Sequence, residues 1–119
     1  MNRPVHFELN AVDAEASVDF FTSVFDWTVQ RWGDEKYWLL STGDGIGIDG
    51  AIMPSRDGQP RTVNIVEVDS IDAHQERVIA AGGKVIVDKT AMPGLGWLVY
   101  CADPAGLIFG MMESDESAA

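Results

Sequence analysis

The sequence predicts an α+β fold made of two βαβββ modules, and three observations predict it. The order strand, helix and three strands occurs twice within 119 residues. Each helix is preceded by a residue suited to cap it, Asp13 and then Ser70, and Gly82-Gly83 closes the second. The chain also ends in two apolar segments joined by Asp103-Pro104-Ala105-Gly106, where proline fixes φ and glycine supplies a turn conformation closed to most residues.

Val5–Asn10 alternates, with Phe7 and Leu9 on one face and His6, Glu8 and Asn10 on the other, as in a half-buried strand. Behind Asp13, the apolar Ala14, Val18, Phe21 and Phe25 recur at helical spacing, which predicts a helix to about Phe25. Strands are predicted at Trp27–Trp32 and Tyr37–Thr42, with a turn at Gly33-Asp34-Glu35. The glycine-rich stretch Gly43–Gly50 leads into a short strand to Met53, and Pro54–Arg61 has the composition of a linker. Thr62–Val68 is the next strand, then a helix from Ser70 to about Ala81, then a strand at Lys84–Asp88. A loop holding Met92-Pro93-Gly94 precedes the final hairpin, Trp97–Cys101 with Leu107–Met112. The chain is thus one domain: module one at about 4–53, a linker at 54–61, module two at 62–113 and a disordered tail at 114–119.

The two modules superpose as text only loosely. A shift of 57 lays Asp13 on Ser70 and Ala16 on Ala73, a shift of 59 lays Trp38-Leu39 on Trp97-Leu98, and a shift of 60 lays Gly50 on Gly110. Small loop insertions produce such a growing offset. On this reading Trp38 and Trp97 hold equivalent positions, as symmetric core aromatics.

Composition narrows the partners. Eight Lys and Arg against nineteen Asp and Glu give a net charge of −11, which repels phosphate backbones and anionic lipid heads. Neither nucleic acid nor membrane is an expected partner. The single cysteine, Cys101, forms no internal disulfide, and the N-terminal residues lack the apolar core of a signal peptide, so a cytoplasmic location is expected. Cys101 sits in an apolar strand without a neighbouring cation and reads as structural. His74 reads as a helix-surface residue. Gly43-x-Gly-x-Gly47 lacks the lysine of a phosphate loop, and no Gly-x-Ser-x-Gly elbow is present.

His6 is the leading chemical candidate, because a neutral imidazole can act as base or ligand near neutral pH. Glu8 and Asn10 share its strand face, and Glu67 lies on a matching face of the second module; carboxylates there suit a wet cleft better than a dry core. Tyr100 reads either as a hydroxyl aimed at a ligand or as a core aromatic. Met53, Met111 and Met112 supply an adaptable apolar surface, for a ligand or for the core.

Val5–Leu9, Asp13, Ser17, Phe20-Phe21 and Phe25-Asp26-Trp27, followed by Val66–Ala73, Gly82–Val85 and Gly96-Trp97 through Gly106, together resemble the vicinal oxygen chelate superfamily. That superfamily includes glyoxalase I, bleomycin-resistance proteins, fosfomycin-resistance enzymes and extradiol dioxygenases. The resemblance implies a glyoxalase-like fold, a curled sheet forming a cleft with the helices outside. It implies metal ligands on the first and last strands of each module, at His6, Val63, Gly50 and Gly110 here. Only His6 can coordinate, so the expectation is a metal-free cleft that binds a small organic molecule, with no reaction assigned. His6 is then either an active group or a former ligand now hydrogen-bonded to Glu8 or a neighbouring strand. Expected catalytic residues are His6, Glu8 and Tyr100; expected ligand-binding residues are Asn10, Glu67 and Met112. The alternative is a divalent metal held by displaced ligands, His6, Glu8 and Glu67, in a lyase or dioxygenase. The resemblance further implies a homodimer.

Overall fold

Alternating apolar residues and two capped helices fold here as the sequence predicts. The computed structural model describes all residues, Met1–Ala119. Its elements are β1 (Arg3–Ala11), α1 (Ala14–Phe25), β2 (Thr28–Arg31), β3 (Trp38–Ser41), β4 (Asp49–Pro54), β5 (Arg61–Glu67), α2 (Ile71–Ala80), β6 (Lys84–Met92), β7 (Gly96–Ala102) and β8 (Ile108–Ser114). They fall into two compact units, Val5–Val63 and Asn64–Ala119 with Met1–Pro4. No helix is long and apolar enough to cross a membrane.

In the first unit the strands run β2-β3-β4-β1, with β1 parallel to β4 and the other pairs antiparallel. Asp13 caps α1 by accepting from the Ala16 amide, and Ala14 and Val18 bury against Ala11, Trp38, Leu40 and Ile52. Phe7, Leu9, Phe21 and Trp27 complete this core. The Phe21 and Trp27 rings stack at 5.7 Å, and Phe7 meets Trp27 at 6.0 Å. The helix ends at Asp26, whose left-handed backbone (φ 58°) sends its N–H to the Thr22 carbonyl. A glycine is the usual occupant of such a cap.

The second unit repeats the plan, β5-β8-β7-β6, with β5 parallel to β8. Ser70 caps α2 through the Ala73 amide, and Ile71 packs with Val68, Val99, Cys101 and Met111. Cys101 is fully buried, and burial pushes its thiol pKa up, as expected of a structural cysteine. His74 lies on α2 with Nδ1 3.0 Å from the Ser70 carbonyl oxygen.

The structure corrects four expectations. Trp38 stands opposite Ile52, whereas the residue opposite the matching Met111 is Val99; Trp97 stands opposite Glu113. The two tryptophans are therefore not equivalent, and Trp97 instead donates from Nε1 to Asp115 at 3.0 Å. β6 runs on to Met92, through residues expected in a loop. The tail expected to be disordered is tied down: Asp115 N–H donates to the Leu95 carbonyl, Gly94 N–H donates to Ala118, and Ala118 is buried.

Gly50 needs the fourth correction. It pairs with Phe7 and lies on the α1 side of the sheet, where a Cβ would stand 2.5 Å from the Phe7 ring. It therefore faces the core, away from His6. Gly110 pairs with Ile65 and Tyr100, on the side of its sheet away from α2. Its counterpart in the first unit is Ala51, because Ile52 corresponds to Met111 as the helix-facing core residue next in the strand. The offset in the last strand is thus 59, one less than the text suggested.

Candidate functional site

Because Phe7, Leu9, Leu40 and Ile52 face α1, the alternate residues of the same strands face the other way. Pairing sorts these into three rows. His6 lies beside Asp49; Glu8 lies beside Ala51, which lies beside Leu39; Asn10 lies beside Met53. Tyr37 continues the alternation of β3 and lies level with Met53, one residue beyond the Trp38–Ile52 pair. The Asn10 amide donates to the Met53 sulfur at 3.2 Å, tying the third row together.

Glu8 sits at the centre of this face and is only 2% exposed, the one buried charged residue of the chain. Its carboxylate is engaged, and no buried polar side-chain atom anywhere lacks a partner. His6 is half-buried, and burial lowers its pKa below the usual 6.5, while the Asp49 charge pulls the other way. The imidazole is thus held neutral at physiological pH. Asp49 is exposed, and its Oδ1 accepts from the Thr42 N–H at 2.9 Å and the Thr42 hydroxyl at 3.2 Å. Tyr37 is half-buried, and burial together with the Glu8 charge pushes its pKa up to about 12.

The other expected residues belong to the second unit. Glu67 pairs with Met112, and its carboxylate accepts from the Ser114 hydroxyl at 3.3 Å. Tyr100 stands opposite Gly110. Glu67, Met112 and Tyr100 share the face of that unit's sheet turned away from α2, and all three are half-buried. His6, Glu8 and Asn10 are brought together as the alternation predicted. Asp49 and Tyr37 were missed. Both follow from strand register, which the glycine-rich loop 43–48 conceals; the sequence signal for Tyr37 was its odd-number match with Leu39.

A separate recess of about 560 Å³ lies between the start of α1, the end of β1 and residues 60–62. Its walls include Leu9, Phe20 and Phe21, and it shares only Asn10 with the rows above. Its one cation, Arg61, is held in a fork by Asp57 at 2.7 and 2.8 Å. It offers apolar surface but no free reactive group.

Comparison with known proteins places this architecture. The family model described as "Glyoxalase/Bleomycin resistance protein/Dioxygenase superfamily" matches residues 3–111. The chain belongs to that superfamily. It is 31% identical over 138 aligned residues to the anthracycline biosynthesis protein DnrV of Streptomyces peucetius, covering 95% of this chain and 49% of that protein. The chain therefore spans about half the length of this superfamily relative. A superfamily member of known structure from Vibrio splendidus 12B01 superposes with a TM-score of 0.65 at 19% identity, over 92% of this chain and 96% of that one. Streptomyces coelicolor methylmalonyl-CoA epimerase in complex with 2-nitronate-propionyl-CoA gives 0.65 at 15% identity, over 100% and 99%. At such identities the structural likeness concerns the fold.

Members of this superfamily commonly use a divalent ion, and the donor set can be tested against one. The last-strand positions on the relevant faces hold Ala51 and Gly110, which have no donor atom. No three His, Cys, Asp or Glu side chains converge anywhere. His6 and Asp49 are neighbours, and the Asp49 Oδ1 accepts from Thr42. Two neighbouring donors are too few for a resident ion, which needs three or more protein ligands. The residues present do not fit the group.

Proposed function

We propose that this superfamily member binds a small organic molecule on the face of its first unit turned away from α1, and does so without a resident metal. The observation that carries this is the three-row arrangement: a buried Glu8 flanked by a half-buried, neutral His6 and a half-buried Asn10 on one strand face. Burying a carboxylate costs several kcal/mol unless it is compensated, so a fold keeps one where it has a use. His6 and Glu8 are the proposed catalytic groups of this face, His6 because a neutral imidazole can accept a proton at neutral pH; Tyr100 is proposed separately as a catalytic group of the second unit. Asn10 is proposed to hold the ligand on this face, and Glu67 and Met112 are proposed as ligand-binding residues of the second unit's own sheet face. The biosynthetic role printed for DnrV puts anthracycline-type polycyclic aromatics first among candidates. The protein is further proposed to be a cytoplasmic homodimer, which light scattering of the purified chain tests.

The deciding experiment is a thermal-shift screen of oxyacids, aromatics and polycyclic antibiotics, followed by calorimetric titration of hits. A ligand present at a hundred times its Kd stabilises by about 2.7 kcal/mol, well within detection. Binding that survives exhaustive chelation and is lost in Glu8→Gln supports the reading. The adjacency of His6 and Asp49 favours one competitor, a displaced-ligand metal lyase or dioxygenase. Stoichiometric Ni, Zn, Fe or Mn in the purified protein, vanishing in His6→Ala, would establish that competitor instead.

A further inference from the structure

This inference rests on the binding reading above. We propose that Tyr37 is a specificity-determining residue of that face, donating a hydrogen bond from its hydroxyl to an oxygen acceptor on a ligand that carries no negative charge.

Register places Tyr37 level with Met53 and Asn10, one row from Glu8 and two rows from His6. None of the chain's hydrogen bonds uses its hydroxyl, and no buried polar side-chain atom is left unpaired, so this hydroxyl keeps contact with solvent. A half-buried phenol with a free, reachable O–H is built to meet something other than the chain itself. Its only charged neighbour of consequence is Glu8. Burial, and after it that charge, opposes ionisation of the phenol, which stays protonated through the physiological range and so remains a donor.

The same charge sets what may bind. An anionic group arriving beside Tyr37 meets Glu8, then Asp49 two rows away, on a chain whose net charge is −11. No lysine or arginine lies in these rows, and His6 is held neutral, so the rows offer an arriving anion no cation. A neutral or cationic ligand meets no such barrier. Adjacent rows are two residues apart, so the three rows span about 13 Å along the strands and about 10 Å across them. That area suits two to four fused rings. The same charges disfavour an anionic acyl-CoA, although an epimerase of this fold binds one such molecule.

Three probes test this: 2-(aminomethyl)anthraquinone, cationic with oxygen acceptors; anthraquinone-2-sulfonate, anionic with the same acceptors; and 9-(aminomethyl)anthracene, cationic without them. Each is titrated calorimetrically into the wild-type chain and into Tyr37→Phe, with circular dichroism melts of both. The expected result is at least tenfold weaker binding of the sulfonate than of the aminomethyl quinone. Tyr37→Phe weakens the aminomethyl quinone about tenfold, leaves the anthracene unchanged and melts like the wild type. Equal binding of sulfonate and ammonium, or equal loss of quinone and anthracene in Tyr37→Phe, overturns the assignment while leaving the binding reading intact. If no probe and no member of the wider screen binds the wild type, the binding reading falls and this one with it.

Discussion

Replacing Gly50 by alanine tests the register on which the site depends. A Cβ at this position would stand 2.5 Å from Cδ2 and Cε2 of Phe7 and 2.6 Å from its Cζ, distances that real Cβ atoms do not adopt. The ring is rigid, and it is backed by Trp27 at 6.0 Å, which stacks in turn on Phe21. It must move as a unit, and overpacking of this kind costs about 1–3 kcal/mol. The backbone at Gly50 is not in the left-handed region, so alanine meets no conformational penalty and gains about 0.4–1 kcal/mol from a less flexible unfolded chain. The net loss is about 1–2 kcal/mol, or roughly 4–8 °C in Tm for a chain of this size.

Gly110→Ala is the control. Its Cβ meets the Cδ1 of Ile65, the far end of a flexible side chain that can rotate away, so the loss is below about 1 kcal/mol. Both variants are compared by urea and thermal unfolding, and Gly50→Ala is repeated in a Phe7→Leu background. There its cost shrinks by about 1 kcal/mol, because the obstructing ring is gone. A Gly50→Ala melting point within 2 °C of wild type, or a cost unchanged by Phe7→Leu, would refute the placement of Gly50 on the α1 side.

The remaining expectations are independent of the ligand. His6 has a folded-state pKa below that of the unfolded chain, so the unfolded state takes its proton first. Stability therefore falls as pH drops below about 6.5, until the folded pKa is reached, and His6→Gln flattens that part of a urea-midpoint profile between pH 5 and 7.5. Asp26→Gly relieves a left-handed aspartate at the end of α1 and raises stability by about 0.5–1 kcal/mol in the same assay; a decrease would mean the aspartate side chain matters there. Trp97→Phe removes the Nε1 bond to Asp115 and costs about 1 kcal/mol, with faster hydrogen exchange at residues 115–118 as the direct readout. Cys101, buried with a raised pKa, stays unreactive toward a thiol reagent in the folded chain and reacts only after denaturation.

What could be read from the sequence and what could not divides along the range of the forces involved. Both helices were legible because caps and i, i+4 spacing are local: Asp13 and Ser70 cap as the text suggested. The faces of β1 were legible for the same reason, since alternation alone separates Phe7 and Leu9 from His6, Glu8 and Asn10. Which β4 residue accompanies His6 is not local. It is decided by Phe7 occupying the space above a residue without a side chain, and a shift of one residue sends every side chain of a strand to the other face. Laying Gly50 on Gly110 made that shift. It put a core glycine at a supposed ligand position, where Ala51 stands, and hid Asp49 beside His6. The same dependence hid Tyr37, which reaches the site only through the antiparallel register of β3 with β4. The lack of a carboxylate at the two equivalent last-strand positions survives the correction, because alanine replaces glycine at the first of them and neither offers a donor. What changes is the remaining chemistry: the polar groups set out on this face of the first unit are a neutral imidazole beside Asp49, a neutral phenol and the Asn10 amide around a buried carboxylate. That set suits hydrogen bonding to an uncharged partner far better than it suits holding an ion.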